Sequence, residues 1–182
     1  MKYVKDGKLS ALPEPPAATV EERLRRLEDT RAVEEILYHY TRAVDRNDFE
    51  GIAGCYTADG CLIPSDHAEP ITGRDRILEV LGRLMDPSIK TSAHYILNQQ
   101  IHFETRDTAV VYAYFYANKS FYSERADEVT WGGYELRVLR ESDGEWRIKT
   151  HKIFMTRQDG SRTGRFGEQR DRPWPPVPEH HI

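Results

Sequence analysis

Cysteine is almost absent from this 182-residue chain, which has only Cys55 and Cys61. Two thiols cannot staple a small fold, so they are expected to be reduced and packed, and stability must come from apolar burial. Long apolar runs are missing too: no stretch approaches the roughly 18 to 20 residues that span a bilayer. The opening residues, Met1 to Gly7, carry no apolar segment of the secretory kind, which points to a cytoplasmic protein. No block of positive charge exists either. Lys and Arg number 26 against 30 Asp and Glu, a formal net charge of −4, so neither nucleic acid nor an anionic membrane is an expected partner. Gly-x-Gly-x-x-Gly, Walker-type and Gly-x-Ser-x-Gly loops are absent, as are His-Glu-x-x-His and spaced Cys/His clusters. Those absences argue against nucleotide, flavin, serine-hydrolase and zinc chemistry; no cofactor and no metal is expected.

The chain does have ten tyrosines and a low hydrophobic fraction of 38 %, so part of it must lie outside the core. The ends account for that part. Residues 1–18 contain Pro13, Pro15 and Pro16 without apolar periodicity and read as an N-terminal arm. Residues 158–182, rich in Pro and Arg, read as a C-terminal arm. Its large apolar residues, Phe166 and Trp174, suit docking on the body or on a neighbouring subunit.

Residues 19–157 form the domain between them. Thr19-Val20-Glu21-Glu22 is a capping box. Apolar residues then recur at helical spacing through Val20, Leu24 and Leu27. The phase slips near Asp29-Thr30 and resumes as Val33, Ile36, Leu37, Tyr40 and Val44, which reads as one broken helix or two. A short helix capped by Asp48 is expected through Ile52, Ala53 and Tyr56, closed by Asp59-Gly60, then a short strand over Cys61 to Pro64, and a third helix over Gly73 to Met85. Thr91–Glu104, Thr108–Tyr122, Val129–Arg140 and Glu145–Met155 are rich in β-branched and aromatic residues and read as strands. Helices first and strands afterwards predict an α+β fold, a curved antiparallel sheet of about four to six strands covered by helices. The space between the layers is a natural pocket.

Two residues stand out as candidates for chemistry. Asp45 falls at a helix C-terminus, where the backbone dipole disfavours a carboxylate. Asn47 and Asp48 already suit the turn and the next cap, so Asp45 is either a loop hydrogen-bonding residue or a pocket carboxylate with a raised pKa. His94 lies mid-strand, on one face with Ile96 and Asn98. It is either a core histidine bonded to backbone or a pocket base whose tautomer a carboxylate would fix. His102 shares that face only if no bulge intervenes and reads as surface or structural. His151, on the face opposite Trp146 and Ile148, reads as surface, and His180 and His181 as solvated. Tyr112, Tyr114 and Tyr116 share one strand face with Asn118 and Tyr122, suited to a subunit interface or an aromatic ligand. Ala113, Phe115, Ala117 and Lys119 line the other. Glu135 is either a pocket carboxylate or a surface cross-strand partner.

Four stretches carry a family resemblance: Tyr40 to Phe49 as Tyr-x-x-x-x-Asp-x-x-Asp-Phe, Tyr56-Thr-Ala-Asp-Gly60, Thr91-x-x-His94-x-x-x-Asn98, and Tyr134–Arg140 with Asp143 to Ile148. Together they resemble the SnoaL-like branch of the nuclear transport factor 2-like superfamily, and most nearly its scytalone dehydratase-like and bile-acid 7α-dehydratase-like lyases. The resemblance implies a cone-shaped barrel, a strongly curved sheet whose pocket three helices close. It implies a dyad of Asp45 and His94, with Tyr40 as a further catalytic residue. Asn98, Glu135, Lys119, Tyr116 and Trp131 become candidate substrate contacts. The implied reaction is cofactor-independent proton abstraction from a hydroxylated aromatic or polycyclic molecule, leading to dehydration or retro-aldol-type cleavage, in a homo-dimer or homo-trimer. Tyr116-Ala117-Asn118-Lys119 stands where those lyases carry a second histidine or an aspartate. The superfamily also contains isomerases, cyclases, dioxygenase β-subunits and ligand-binding modules, so an isomerase or cyclase on the same dyad and a non-catalytic subunit are the alternatives.

Overall fold

The computed structural model describes residues 2–5, 8–11, 14–64, 69–84, 86–122, 124 and 126–159. Strands β1 (Lys2–Lys5) and β2 (Lys8–Ala11) form a separate two-stranded antiparallel hairpin, so the proline-rich N-terminal segment carries structure that its lack of periodicity did not predict. After it come α1 (Val20–Asp45), α2 (Phe49–Gly54), β3 (Tyr56–Ile63), β4 (Ile71–Thr72) and α3 (Arg74–Leu84). The long strands β5 (Ile89–Phe103), β6 (Thr108–Phe121), β7 (Glu128–Arg140) and β8 (Trp146–Asp159) complete the domain. The C-terminal segment beyond Asp159, with Phe166, Trp174, His180 and His181, lies outside the described residues.

One sheet of six strands holds the domain together, in the order β4-β3-β8-β7-β6-β5. It is curved and unclosed. Neighbours are antiparallel except β3 and β8, which run parallel, so the sheet is mixed where a wholly antiparallel one was expected. A parallel neighbour requires a crossover, and the chain from β3 to β8 makes it by building the rest of the sheet on the way.

The first helix is continuous for 26 residues, not broken at Asp29-Thr30. Its capping box is formed: Glu22 N–H donates to Thr19 Oγ1 at 3.1 Å, and Thr19 N–H to the Glu22 carboxylate at 3.1 Å. The phase slip has a different cause. Asp29 is buried because it accepts from Arg140 and from Trp146 Nε1, so a charged residue occupies an inward position. Val20, Leu24 and Leu27 stay exposed, and the buried stripe begins at Val33 and runs through Leu37, Tyr40 and Ala43.

The second helix stops at Gly54 rather than passing through Tyr56. Tyr56 begins β3, pairs with Ile148 and is fully buried. Both cysteines are free thiols, Cys55 buried and Cys61 partly so. The core lies between α1 and the inner sheet face, with Val33, Leu37, Val111, Phe115, Leu136 and Ile148 among its members.

Bulges decide which side chains face that core. The β7–β8 register jumps from Val138↔Ile148 to Arg137↔Thr150, so Lys149 is an extra residue and the alternation along β8 inverts after it. His151 therefore turns inward and is wholly buried, the reverse of its expected surface position. A second irregularity between Leu97 and Gln100 does the same to β5. Asn98 adopts the left-handed conformation there, with φ 52°, and is exposed. His102 beyond it is buried against Glu14 at 3.1 Å.

Candidate active site

Asp45 is the last residue of α1. The turn after it uses other residues: Asn47 takes φ 54°, and Asp48 caps α2 by accepting from Gly51 N–H at 2.8 Å. The Asp45 carboxylate is thus left over and reaches across to β5. It accepts from Ser92 Oγ at 2.9 Å, from His94 N–H at 2.9 Å and from His94 Nδ1 at 2.6 Å. Both partners are largely shielded, with 11 % of the His94 side chain and 21 % of Asp45 exposed, so water weakens this contact little.

Burial pushes the Asp45 pKa up, but the hydrogen bonds from the His94 ring and amide, the attraction to His94 and the Ser92 hydroxyl outweigh it. The carboxyl ends below its usual 3.8. This corrects the sequence expectation of a raised value: three donors hold the charged form. An ionised carboxylate only accepts, so the ring nitrogen facing it must carry the proton. Nδ1 is therefore protonated, and in the neutral imidazole Nε2 keeps its lone pair.

His94 borders a cavity of ≈ 180 Å³ whose wall includes Tyr40, Val44, Phe115, Ala117 and Tyr134. A second cavity of ≈ 260 Å³ adjoins it, reaching Ser92, Phe49 and Leu81. Tyr40, Val44, Lys119 and Glu128 border both. A larger hollow of ≈ 790 Å³ lies elsewhere, an open groove bordered by Arg25, Glu35, His39, Arg147 and Trp146. It is bordered by none of Asp45, His94 and Tyr40 and offers no comparable acid–base pair, so size alone does not mark the chemistry.

On the strand beside the dyad, Lys119 pairs in register with Ser92 on one side and Glu128 on the other. Its Nζ lies 3.9 Å from Glu128 Oε1, and Glu128 is buried. Behind the pocket stands a cluster of aromatic rings. Tyr40 meets Tyr134, Tyr56 and His151 edge to face, with centroids 6.2, 6.3 and 4.9 Å away. Burial drives the Tyr40 phenol well above its usual 10, and the neighbouring Tyr56 hydroxyl pulls the other way.

The structure thus brings His94, Tyr40 and Lys119 to one pocket, with Asp45 bonded to His94 beside it. It does not bring the other four candidates there. Tyr116 and Trp131 lie on the outer face in one aromatic row with Tyr95, at centroid spacings of 6.0 Å. Glu135 pairs with Lys152 at 3.2 Å on that same face. Strand alternation places all three opposite Ala117 and Tyr134, and the bulge removes Asn98. Ser92 and Glu128, absent from the sequence-based candidates, do border the pocket. Alternation could have found both, because Ser92 shares a face with His94, and Glu128 shares one with Thr130, Tyr134 and Leu136. Among the described residues, no group of three or more His, Cys, Asp or Glu side chains is placed to hold a metal ion.

Residues 25–152 match the SnoaL-like domain. A search of curated protein sequences finds no match. Among solved structures, the chain is similar to a putative scytalone dehydratase from Novosphingobium aromaticivorans, with TM-score 0.73 and 23 % identity over 83 % of this chain and 99 % of that one. It is also similar to a hexachlorocyclohexane dehydrochlorinase from Novosphingobium barchaimii, with TM-score 0.67 and 16 % identity over 75 % and 92 %. A ketosteroid isomerase-like protein from Erwinia carotovora gives TM-score 0.59 and 16 % identity over 70 % and 95 %. At these identities the likeness concerns the fold.

Proposed function

The chain belongs to the SnoaL-like domain family, and from that membership we propose that its pocket belongs to a cofactor-independent lyase acting by proton abstraction. The observation that carries the reading is the 2.6 Å contact between Asp45 Oδ1 and His94 Nδ1, with His94 on the wall of a cavity. His94 Nε2 is the base. It removes a proton from a carbon next to a carbonyl or phenol-conjugated centre, and Asp45 stabilises the imidazolium, a contribution on the order of 10²- to 10⁴-fold. Tyr40 donates to the oxygen that gains charge. The C–H electron pair forms the new double bond as the leaving group departs, and the imidazolium proton goes to the leaving hydroxyl, releasing water and restoring the base. Retro-aldol cleavage begins instead with proton removal from a hydroxyl and expels a carbonyl compound.

Each cavity alone falls below the roughly 300 Å³ at which ligand pockets begin, and joined at Tyr40 and Lys119 they exceed it. A hydroxylated aromatic of one or two rings fits that space and the apolar walls of Phe49, Phe115 and Leu81. Relatives named as a dehydratase and a dehydrochlorinase support elimination as the reaction class. The test incubates parent, Asp45→Asn and His94→Ala proteins with a panel of hydroxylated aryl ketones in D₂O. Loss of water or of formaldehyde by the parent alone is the expected result. Deuterium uptake or a new isomer at unchanged skeletal mass replaces the lyase with an isomerase. Equal behaviour of all three proteins removes the dyad and leaves a ligand-binding module.

A further inference from the structure

Two rows of side chains cross the inner sheet face beside the dyad. In register across β5, β6 and β7, the first row is Ser92, Lys119 and Glu128, and the second is His94, Ala117 and Thr130. Residues two apart on a strand share a face, so both rows look into the pocket. His94, Ala117 and Thr130 border one cavity, Ser92 borders the other, and Lys119 and Glu128 border both. Lys119 is the diagonal neighbour of His94, a relation that sets Cα atoms about 7 to 8 Å apart. Ala117, next to both, carries only a methyl group and fills little of the space between them.

Among the described residues that border the two cavities, Lys119 is the one lysine or arginine. Two nearby carboxylates have donors of their own. Asp45 accepts from Ser92 and His94, and Asp86 accepts from the Ser88 amide and hydroxyl. Lys119 Nζ lies 3.9 Å from Glu128 Oε1, close enough for attraction but beyond the reach of an N–H···O hydrogen bond. An ammonium has three donors, so Glu128 holds the charge near the cavities without taking its protons. The Lys119 side chain is 34 % exposed and that of Glu128 8 %, so the charge is drawn in from bulk water, where a ligand's own charge meets it with less screening.

We infer that Lys119 is a specificity-determining residue, whose ammonium takes an ionised oxygen acid of an aromatic ligand, a phenolate or a carboxylate, where the two cavities meet. A charge-assisted hydrogen bond is about twice as strong as a neutral one, and an anionic oxygen makes with Lys119 the bond that Glu128 is too distant to make. The ring of such a ligand lies against Phe49 and Leu81 in one cavity or Phe115 and Met155 in the other. The inference rests on reading the joined cavities as the substrate pocket of the proposed lyase, and narrows the substrate from a hydroxylated aromatic to one bound as its anion.

The test is calorimetric titration at neutral pH with three probes of one shape: 4-nitrophenol, 4-nitrobenzoate and the neutral 4-nitroanisole. The parent should bind at least one ionisable probe about tenfold or more tighter than 4-nitroanisole, and the tighter of the two tells phenolate from carboxylate. Lys119→Met should weaken that probe by about 10- to 100-fold and leave 4-nitroanisole unchanged, whereas Lys119→Arg should keep the preference. Glu128→Gln removes the carboxylate that competes for the ammonium and should tighten the anionic probe. Opposite signs in Lys119→Met and Glu128→Gln separate ligand recognition from a structural ion pair, whose loss from either side weakens binding alike. A parent without preference for an anion, a Lys119→Met protein that keeps it, or weakening in both variants overturns the inference. If Lys119→Met does not fold, the parent's preference and Glu128→Gln still decide. These titrations need no turnover, so failure of the lyase reading shows in product formation and failure of this one in binding.

Discussion

His151 makes the fold acid-sensitive in a window that opens well above that of the carboxylates. Its pKa falls from 6.5 to about 3 on burial, whereas in the unfolded chain the ring titrates normally. As pH drops below 6.5 the unfolded state takes up a proton that the folded state refuses. Stability is therefore fully present above about pH 6.5 and is lost toward pH 3, at about 1.4 kcal/mol per pH unit. From pH 6.5 to 5 the loss is about 2 kcal/mol, and over the whole window about 5 kcal/mol. Carboxylates held low in the folded state, such as Asp45 and Glu14, act further down. Their contribution is present above the ordinary values of 3.8 and 4.5 and disappears as pH falls through the lower folded ones. Urea denaturation of the parent and of His151→Phe at pH 8, 6.5, 5.5 and 5 separates the two. The parent should lose about 2 kcal/mol more than the variant between pH 6.5 and 5, a large share of an ordinary domain's stability. Cavity and packing effects of the substitution shift the variant's curve as a whole and leave this difference in slope intact. Parallel curves would show that the buried ring takes up its proton without penalty, and would refute the reasoning.

Asp45→Asn and His94→Ala should each lower kcat on a turned-over substrate by roughly 10² to 10⁴, read in steady-state assays; parent-like rates in either remove it from the mechanism. A Cβ at Gly132 would lie 1.8 Å from the Phe154 carbonyl oxygen and 2.8 Å from the Phe115 ring. Gly132→Ala should therefore cost about 2 kcal/mol or more in chemical denaturation, and an unchanged midpoint would mean that the β7–β8 backbone yields freely. Tyr95, Leu97, Tyr114 and Tyr116 leave an apolar outer face exposed, the surface expected to join copies of the chain. Light scattering should find a dimer or trimer that Tyr114→Glu with Tyr116→Glu converts to monomer, and a monomeric parent sinks that expectation. Thr19→Ala should cost about 1 kcal/mol of helix stability and speed amide exchange over the first turns of α1, where Val20 and Leu24 lack cover.

The parts of the fold that were legible in the sequence are those where local chemistry and position agree. Thr19 and Glu22 announce a helix start, Asp143-Gly144 a hairpin, and the β-branched runs four strands, each with bounds close to those found. Asp45 was legible by subtraction, because Asn47 and Asp48 were better suited to the turn and left a carboxylate without a local task. Tyr116, Trp131 and Glu135 were misplaced against the sequence's own alternation, since each neighbours an inward residue and must itself point out. The two bulges were not legible. A single inserted residue, Lys149, inverts β8 without altering its composition, so the inward turn of His151 leaves no periodic trace. The buried Asp29 broke the helical phase for a related reason: its partners, Arg140 and Trp146, lie more than a hundred residues away.

The dyad's geometry links two requirements that are separate in the sequence. A carboxylate at the C-terminal end of α1 meets the negative end of the helix dipole, and burial adds a further penalty. Asp45 is charged only because donors replace its lost water, and all of them come from one short stretch of β5: Ser92 Oγ, the His94 amide and His94 Nδ1. Because Ser92 and His94 share the inward face, one placement of the strand satisfies both carboxylate oxygens. The same placement occupies the proton-bearing nitrogen of the ring and leaves Nε2 for the cavity. Holding the aspartate ionised and holding the histidine ready to accept a proton are therefore one structural act. Loss of either partner should disturb the fold at the α1–β5 junction as well as the chemistry, since a buried carboxylate without its donors, or donors without their carboxylate, is left uncompensated.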